Sequence, residues 1–464
     1  VSASAQTSTL VRQLGLSSAA ALVISNMIGT GIFTTSGYLA GDLGHAWLIL
    51  LIWVVGALCA LAGALSYSEL GMNFPSSGGE YVYLTRAWGP TWGFMTGWTS
   101  FFAGFSAPIA AASLAFADYL GYFWVPLRQD HALWTVGPQN FSLRIGGAQL
   151  AAIGLIALLT LLNCARLRFV AAVQNLLTAT KITVLVAFVI LGFLSGRGDW
   201  SHFWQTAQRT SSTPLASQFA ISLFWIYVAY SGWNAATYVA EELKEPRRTL
   251  PLALTLGTAA VAALYLAINI VFIYGASLEE MKGVTAVGSL VAAKLFGPGI
   301  AGLFSGLMAL SLVSTVNAMV TIGPRVYYAM AKNGAFLPIA ARVHPRTHTP
   351  VAAILCQGLC AALMTLTPFP QLVLYIGVIL NFFAAMSVAS LFRLRNQQNW
   401  QRLPVVDFAY PLIPAFFVLV ALWMTIFGLR LQPKVSLAAI ITVVLGALVF
   451  RLRMRASAPA ESPR

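Results

Sequence analysis

The 464-residue chain is 58% hydrophobic and 9% charged, and it carries a formal net charge of +14. A soluble domain is about 45–50% apolar and about 25% charged, so this composition excludes one and points to an integral membrane protein. The basic excess then marks topology and contact with anionic lipid; no basic run has the aromatic interleaving of a nucleic-acid site, which sets that class aside.

Taken in chain order, uncharged runs cover 13–41, 46–68, 87–117, 145–165, 169–180, 182–196, 210–240, 249–278, 295–324, 349–392, 408–429 and 435–450. A crossing needs about 20 mostly apolar residues. Runs 169–180 and 182–196 are one span interrupted by Lys181. Run 349–392 holds two, with a turn at Thr367–Gln371. The expectation is therefore twelve transmembrane helices, the last of them short. The first hydrophobic stretch is too long for a cleaved leader and lacks a small-residue cleavage site, so it serves as its own targeting signal. The largest loop, Asp118–Arg144, contains Trp124, Trp134 and Pro126 and reads as an interfacial segment. Alternate loops carry eighteen and eight Lys and Arg residues. By the positive-inside rule, both termini of this multi-pass plasma (inner) membrane protein are cytoplasmic.

Two spans are interrupted near their middles by weak helix formers. The first reads Met27-Ile28-Gly29-Thr30-Gly31-Ile32-Phe33, and the sixth reads Val228-Ala229-Tyr230-Ser231-Gly232-Trp233-Asn234. Irregular backbone at membrane depth persists only where protein or a water-filled cavity satisfies it. A break after Ile28 frees the amides of Thr30, Gly31 and Ile32 at the positive end of a half-helix, which suits a carboxylate. Carbonyls of Met27 and its neighbours, and of Val228, Ala229 or Ser231, form a partially negative end that suits an ammonium. Glycines 29, 31 and 232 let the backbone approach a ligand closely. The two spans lie an odd number of positions apart, so the repeats have opposite topology. Paired breaks of this kind mark the binding site of a secondary transporter; close helix packing is the other reading of the glycines. Phe33, Tyr230, Trp233 and Asn234 are candidate gates or pocket walls, and each is also an ordinary interior residue.

Lys181 lies deep in span 5, where a lysine costs about 2.5–3.5 kcal/mol. Snorkelling would have to cover about 18 Å of helix. The alternative is a buried ammonium that holds unwound carbonyls of span 1 and polar groups of span 8, such as Ser311 and Ser314. It would carry a proton, or stand as a fixed cation in place of sodium. No acidic residue lies mid-span, which favours neutral substrates. The cluster Glu241–Arg248 reads as a solvated loop, or as an intracellular gate made with Arg86 or Glu69. Cys59, Cys164, Cys356 and Cys360 form no metal-like pair, and no catalytic motif is present. Neither an enzyme nor a cofactor is expected.

These stretches resemble the amino acid–polyamine–organocation transporter superfamily, and within it the L-type amino acid transporter branch and its bacterial relatives. The similarity is carried by residues 28–33, 63–84, 173–181, 229–254 and 323–338. It implies an all-α membrane protein of two inverted five-helix repeats, 13–196 and 210–395. Peripheral spans at 408–453 follow, between a cytoplasmic N-terminus at 1–12 and a tail at 454–464. It implies that the amides of Thr30 and Gly31 bind a substrate carboxylate and the carbonyls of Met27, Val228 and Ser231 its amine. Lys181 falls where sodium-independent members place a lysine at a sodium site. The chain departs from relatives that carry a bulky aromatic at Val228 and glycine or aspartate at Ser231, which bears on gating and selectivity. The function expected is sodium-independent transport of neutral amino acids, by exchange or proton-coupled uptake; a polyamine or cationic amino acid antiporter is the alternative, and a channel or sensor the remote one. Its partners are the substrate, the lipid bilayer and protons. With no cysteine in an outer loop, a disulfide-linked partner is not expected.

Overall fold

The computed structural model describes residues 14–75, 78–137, 142–164, 167–332, 336–342, 344 and 349–456, without the side chains of 167–178, 329, 332 and 453–456. Segment 1–12 and the tail beyond 456 lie outside the described residues. The principal helices are α1 (Leu16–Met27), α2 (Thr30–Leu43), α3 (Ala46–Asn73), α4 (Glu80–Trp88), α5 (Pro90–Leu120), α6 (Gly147–Asn163) and α7 (Leu167–Leu194). They continue with α8 (Leu215–Tyr230), α9 (Pro246–Gly275), α10 (Val287–Phe296), α11 (Pro298–Lys332), α12 (Val351–Met364), α13 (Phe369–Leu394), α14 (Leu412–Leu431) and α15 (Pro433–Ala456). Among the described residues, eight helices are long and apolar enough to cross a membrane, or nine when the bent pair α1–α2 is one span. The stretches expected to hold spans 4, 5 and 9 are occupied by the apolar helices α6, α7 and α12.

Apolar runs become helices here because a membrane offers the backbone no other hydrogen-bond partners. Which faces are buried follows from side-chain size. α3 packs along α9, α1 against α9, α5 against α11, and α2 against α8. Small residues let the helices approach: a Cβ added at Gly257 of α9 would lie 2.9 Å from the Val23 side chain of α1. α14 and α15 are peripheral, with 28% and 22% of their apolar windows buried against 50–61% for the other long spans.

The loop between α5 and α6 contains a hairpin that the sequence reading missed. Strand β1 (Ala132–Val136) pairs antiparallel with β2 (Leu143–Gly146), placing Thr135 opposite Arg144, with a bulge between Ala132 and Trp134. The strands are short and their apolar residues do not alternate with a buried face, so no period marked them.

Glu69 is fully buried near the end of α3, and its carboxylate is bonded to residues of the segment after α13. Arg395, capping α13, donates to Glu69 from Nε at 2.6 Å and from Nη2 at 3.0 Å. The indole of Trp400 and the amide of Leu403 donate to the same carboxylate, at 2.8 and 3.1 Å. Arg395 also lies 4.0 Å over the Tyr410 ring. The ion pair thus fastens the segment leading to α14 onto the main bundle. Breaking a buried pair from one side leaves an uncompensated charge and costs about 3–5 kcal/mol. Arg395→Met should lower the melting temperature of the detergent-solubilised protein by several degrees, and adding Glu69→Gln should recover most of the loss in the same thermal-shift assay.

Candidate functional site

The first span breaks where its glycines lie. α1 ends at Met27, α2 starts at Thr30, and their axes meet at 41°. Ile28 (φ −72°, ψ 89°) and Gly29 (φ −130°, ψ −154°) are non-helical. Gly29 occupies the N-cap of α2 with no side chain to offer, and no side-chain cap is present. The first amides of α2 therefore keep the partial positive charge of a helix start. On the other side of the break, the last carbonyls of α1 are held by two donors from distant helices. Lys181 Nζ donates to Ile28 O at 2.7 Å and to Ser25 O at 3.0 Å. The Tyr265 hydroxyl donates to Met27 O at 2.6 Å. Lys181 is 2% exposed, so its ammonium exchanges water for these carbonyl oxygens. Charge-assisted bonds of this kind contribute about 1.5–3 kcal/mol each.

The sixth span breaks opposite. α8 ends at Tyr230; Ser231 (φ −56°, ψ 149°) leaves the helix, and Gly232 takes φ 99°, a region that favours glycine. The chain winds on as a 3-10 helix over Ala235–Glu242. The amide and hydroxyl of Ser231 both donate to Val228 O, at 3.1 and 2.7 Å. The two breaks touch. A Cβ at Gly31 would collide with the backbone of Ala229, and one at Gly232 would lie 2.8 Å from the Asn26 carbonyl carbon. Gly29 faces the Thr315 methyl of α11 at 3.7 Å, measured from a Cβ position.

The structure does not bring every candidate to this point. Phe33 is buried one turn into α2, edge-to-face with Tyr119, whose hydroxyl donates to Phe33 O at 2.8 Å. The Tyr230 ring packs against Trp53 and Tyr265, and its hydroxyl donates to Trp53 O at 3.2 Å. Trp233 turns toward α3 and α14, against Tyr67 and Phe417. Asn234 donates to Glu80 Oε1 at 2.9 Å, as does Tyr67. Loss of water pushes the Glu80 carboxyl above its ordinary range, opposed by hydrogen bonds from Tyr67, Tyr238 and Asn234. Ser311 donates back to Leu307 O of its own helix at 2.8 Å, and Ser314 is buried on the same helix.

Sequence reasoning missed Tyr265, Asn269 and Asn26. Tyr265 and Asn269 sit one turn apart on α9; Asn269 pairs with Ser36 of α2 while Tyr265 holds α1. The available signal was a tyrosine and an asparagine spaced i, i+4 inside an uncharged run, a polar stripe that lipid would not tolerate.

Two interrupted spans meeting inside a many-span helical bundle, with an uncapped helix start beside held carbonyls, define a protein of the secondary-transporter class. The chain belongs to the amino acid permease family, whose model matches residues 14–446, and so to the amino acid–polyamine–organocation superfamily. It is 30% identical to the large neutral amino acids transporter small subunit 2 of Mus musculus, over 96% of this chain and 81% of that protein. It is 28% identical to the Asc-type amino acid transporter 1 of Mus musculus, over 96% of this chain and 81% of that protein. The serine/threonine exchanger SteT of Bacillus subtilis is 29% identical, over 88% of this chain and 91% of that protein. These names describe transporters rather than enzymes.

The contact between the breaks yields a test with an internal control. Gly31→Ala forces α2 and α8 apart and should lower the melting temperature, whereas Gly154→Ala, whose Cβ would meet open space on α6, should leave it unchanged or raise it, by up to about 1 kcal/mol of helix propensity.

Proposed function

We propose that the protein is a sodium-independent secondary transporter of neutral L-amino acids in the plasma (inner) membrane, working by exchange or proton-coupled uptake. The observation that carries this reading is the uncapped start of α2 beside the carbonyl end of α1. The amides of Thr30, Gly31 and Ile32 take the substrate carboxylate. A carbonyl oxygen accepts two hydrogen bonds. Val228 O already accepts two from Ser231, whereas Met27 O accepts the one described from Tyr265. The ammonium therefore goes to Met27 O together with Ala229 or Ser231 O. Neither broken span carries an acidic residue at its break, Asp42 lying near the far end of α2 and Glu241 in the 3-10 segment beyond α8, which supports a neutral side chain. Two relatives, one named for large neutral amino acids and one for serine/threonine exchange, support the same class, and a third is named an amino acid transporter.

In this reading, ten of twelve spans form two inverted repeats, 13–196 and 210–395, the last two at 408–453 are peripheral, and both termini are cytoplasmic. Lys181 is the fixed or titrating cation beside the site. The repeats rock about the breaks to expose the site to each side in turn.

Purified protein in proteoliposomes tests this. Labelled L-serine, L-alanine or L-leucine should enter vesicles preloaded with the same unlabelled amino acid, with or without sodium. Strict sodium dependence, or exchange confined to arginine and putrescine, would overturn the reading. Lys181→Ala should lower exchange at least tenfold, or erase its dependence on a pH gradient, in protein that still elutes as a single species. Unchanged exchange with an unchanged pH response would remove Lys181 from coupling.

A further inference from the structure

Between α5 and α6 the chain presents apolar side chains that no described part of the protein covers. Phe123, Trp124, Leu133, Trp134, Val136 and Ile145 are all exposed, Leu133 and Trp134 by 74% and 72%. Both faces of β1 are open, because Leu133 through Val136 are exposed in succession. An isolated two-stranded hairpin is at best marginally stable in water, and an apolar surface of this extent marks an interaction.

Two attachments fix where the hairpin lies. β2 passes into α6 with no residue between them. The amide of Arg144 donates at 2.7 Å to the carbonyl of Leu366, two residues past the end of α12. α6 and α12 both carry leucines on an uncovered face, including Leu150 and Leu359, each 64% exposed. β2 therefore runs across the ends of two helices whose open faces are membrane-facing, and the hairpin continues that apolar surface. Tryptophans gather where hydrocarbon meets headgroups. Arg128 and Arg144 outnumber Asp130 across residues 121–147, which suits an anionic headgroup layer.

We propose that this hairpin is an interfacial anchor lying in the headgroup region of the bilayer that the spans cross, with Leu133, Trp134 and Val136 reaching the upper acyl chains. The open strand edges set its depth. Unpaired backbone groups are not tolerated in hydrocarbon, so the strands stay where water and headgroups can bond them. The anchor holds the adjoining ends of α6 and α12 at the membrane surface. It depends on the protein spanning a membrane and not on which substrate it carries.

The test uses the full chain with Cys59, Cys164, Cys356 and Cys360 replaced by serine. A single cysteine at Trp134→Cys, or at Asp130→Cys as control, is labelled with an environment-sensitive NBD fluorophore and reconstituted into vesicles of phosphatidylcholine and phosphatidylglycerol. The label at 134 should emit to the blue of the label at 130. It should be quenched several-fold more by lipid spin-labelled near the headgroup than by lipid labelled near the chain end. Emission at 134 as in water overturns the proposal. So does blue-shifted emission that no spin-labelled lipid quenches, the signature of a second copy or another protein covering the hairpin. If Trp134→Cys does not yield monodisperse protein, Val136→Cys carries the same expectation, since it is 66% exposed on the same strand.

Discussion

A helix that ends within a membrane leaves its last carbonyl oxygens without amide partners, and lipid cannot replace them. At the end of α1 that need is met by the Lys181 ammonium from α7 and the Tyr265 hydroxyl from α9. The arrangement answers two costs at once. An isolated lysine at this depth is unfavourable, and so is a bare helix terminus; placed together, each supplies what the other lacks. Lys181 and Tyr265 hold the carbonyl side of the break, whereas no side chain caps the amide side at Thr30 and Gly31.

Holding the break open also requires the two interrupted spans to touch. Gly31 lies on the backbone of Ala229, and Gly232 lies on that of Asn26. Contact this close excludes any side chain at those two positions, for two separate reasons. At Gly31 the obstacle is the neighbouring backbone. At Gly232 a left-handed φ adds to it.

Away from the breaks, polar groups fasten elements that packing alone would leave loose. The Glu69–Arg395 pair, with Trp400 and the Leu403 amide, ties α3 and α13 to the segment that leads into α14. The helices beyond it, α14 and α15, show most of their surface to the outside. An ion pair there secures orientation more than it adds net stability, since burying both charges offsets much of their attraction.

Much of the architecture was legible because hydropathy is a local, additive property: a run of uncharged residues is a candidate span whatever surrounds it. The breaks were legible for the same reason, glycine and small polar residues being poor helix formers wherever they stand, and Lys181 stood out as a charge inside an apolar run. Other features depend on residues far apart in the chain, which no local pattern encodes. Tyr265 meets Met27 across 238 positions, and Arg395 meets Glu69 across 326. The direction of Trp233, toward Tyr67 and Phe417 rather than toward the break, is set by the space at Gly63 and by a partner on α14. The β-hairpin escaped notice because both its faces are open, which removes the alternation that betrays a strand. The sequence by itself determined that this chain crosses a membrane many times, that two of its spans are broken, and that a cation sits near one of them. Only the tertiary structure decided which carbonyls that cation holds and that the breaks lie against each other, because hydrogen bonds and close contacts depend on distances that chain order does not contain.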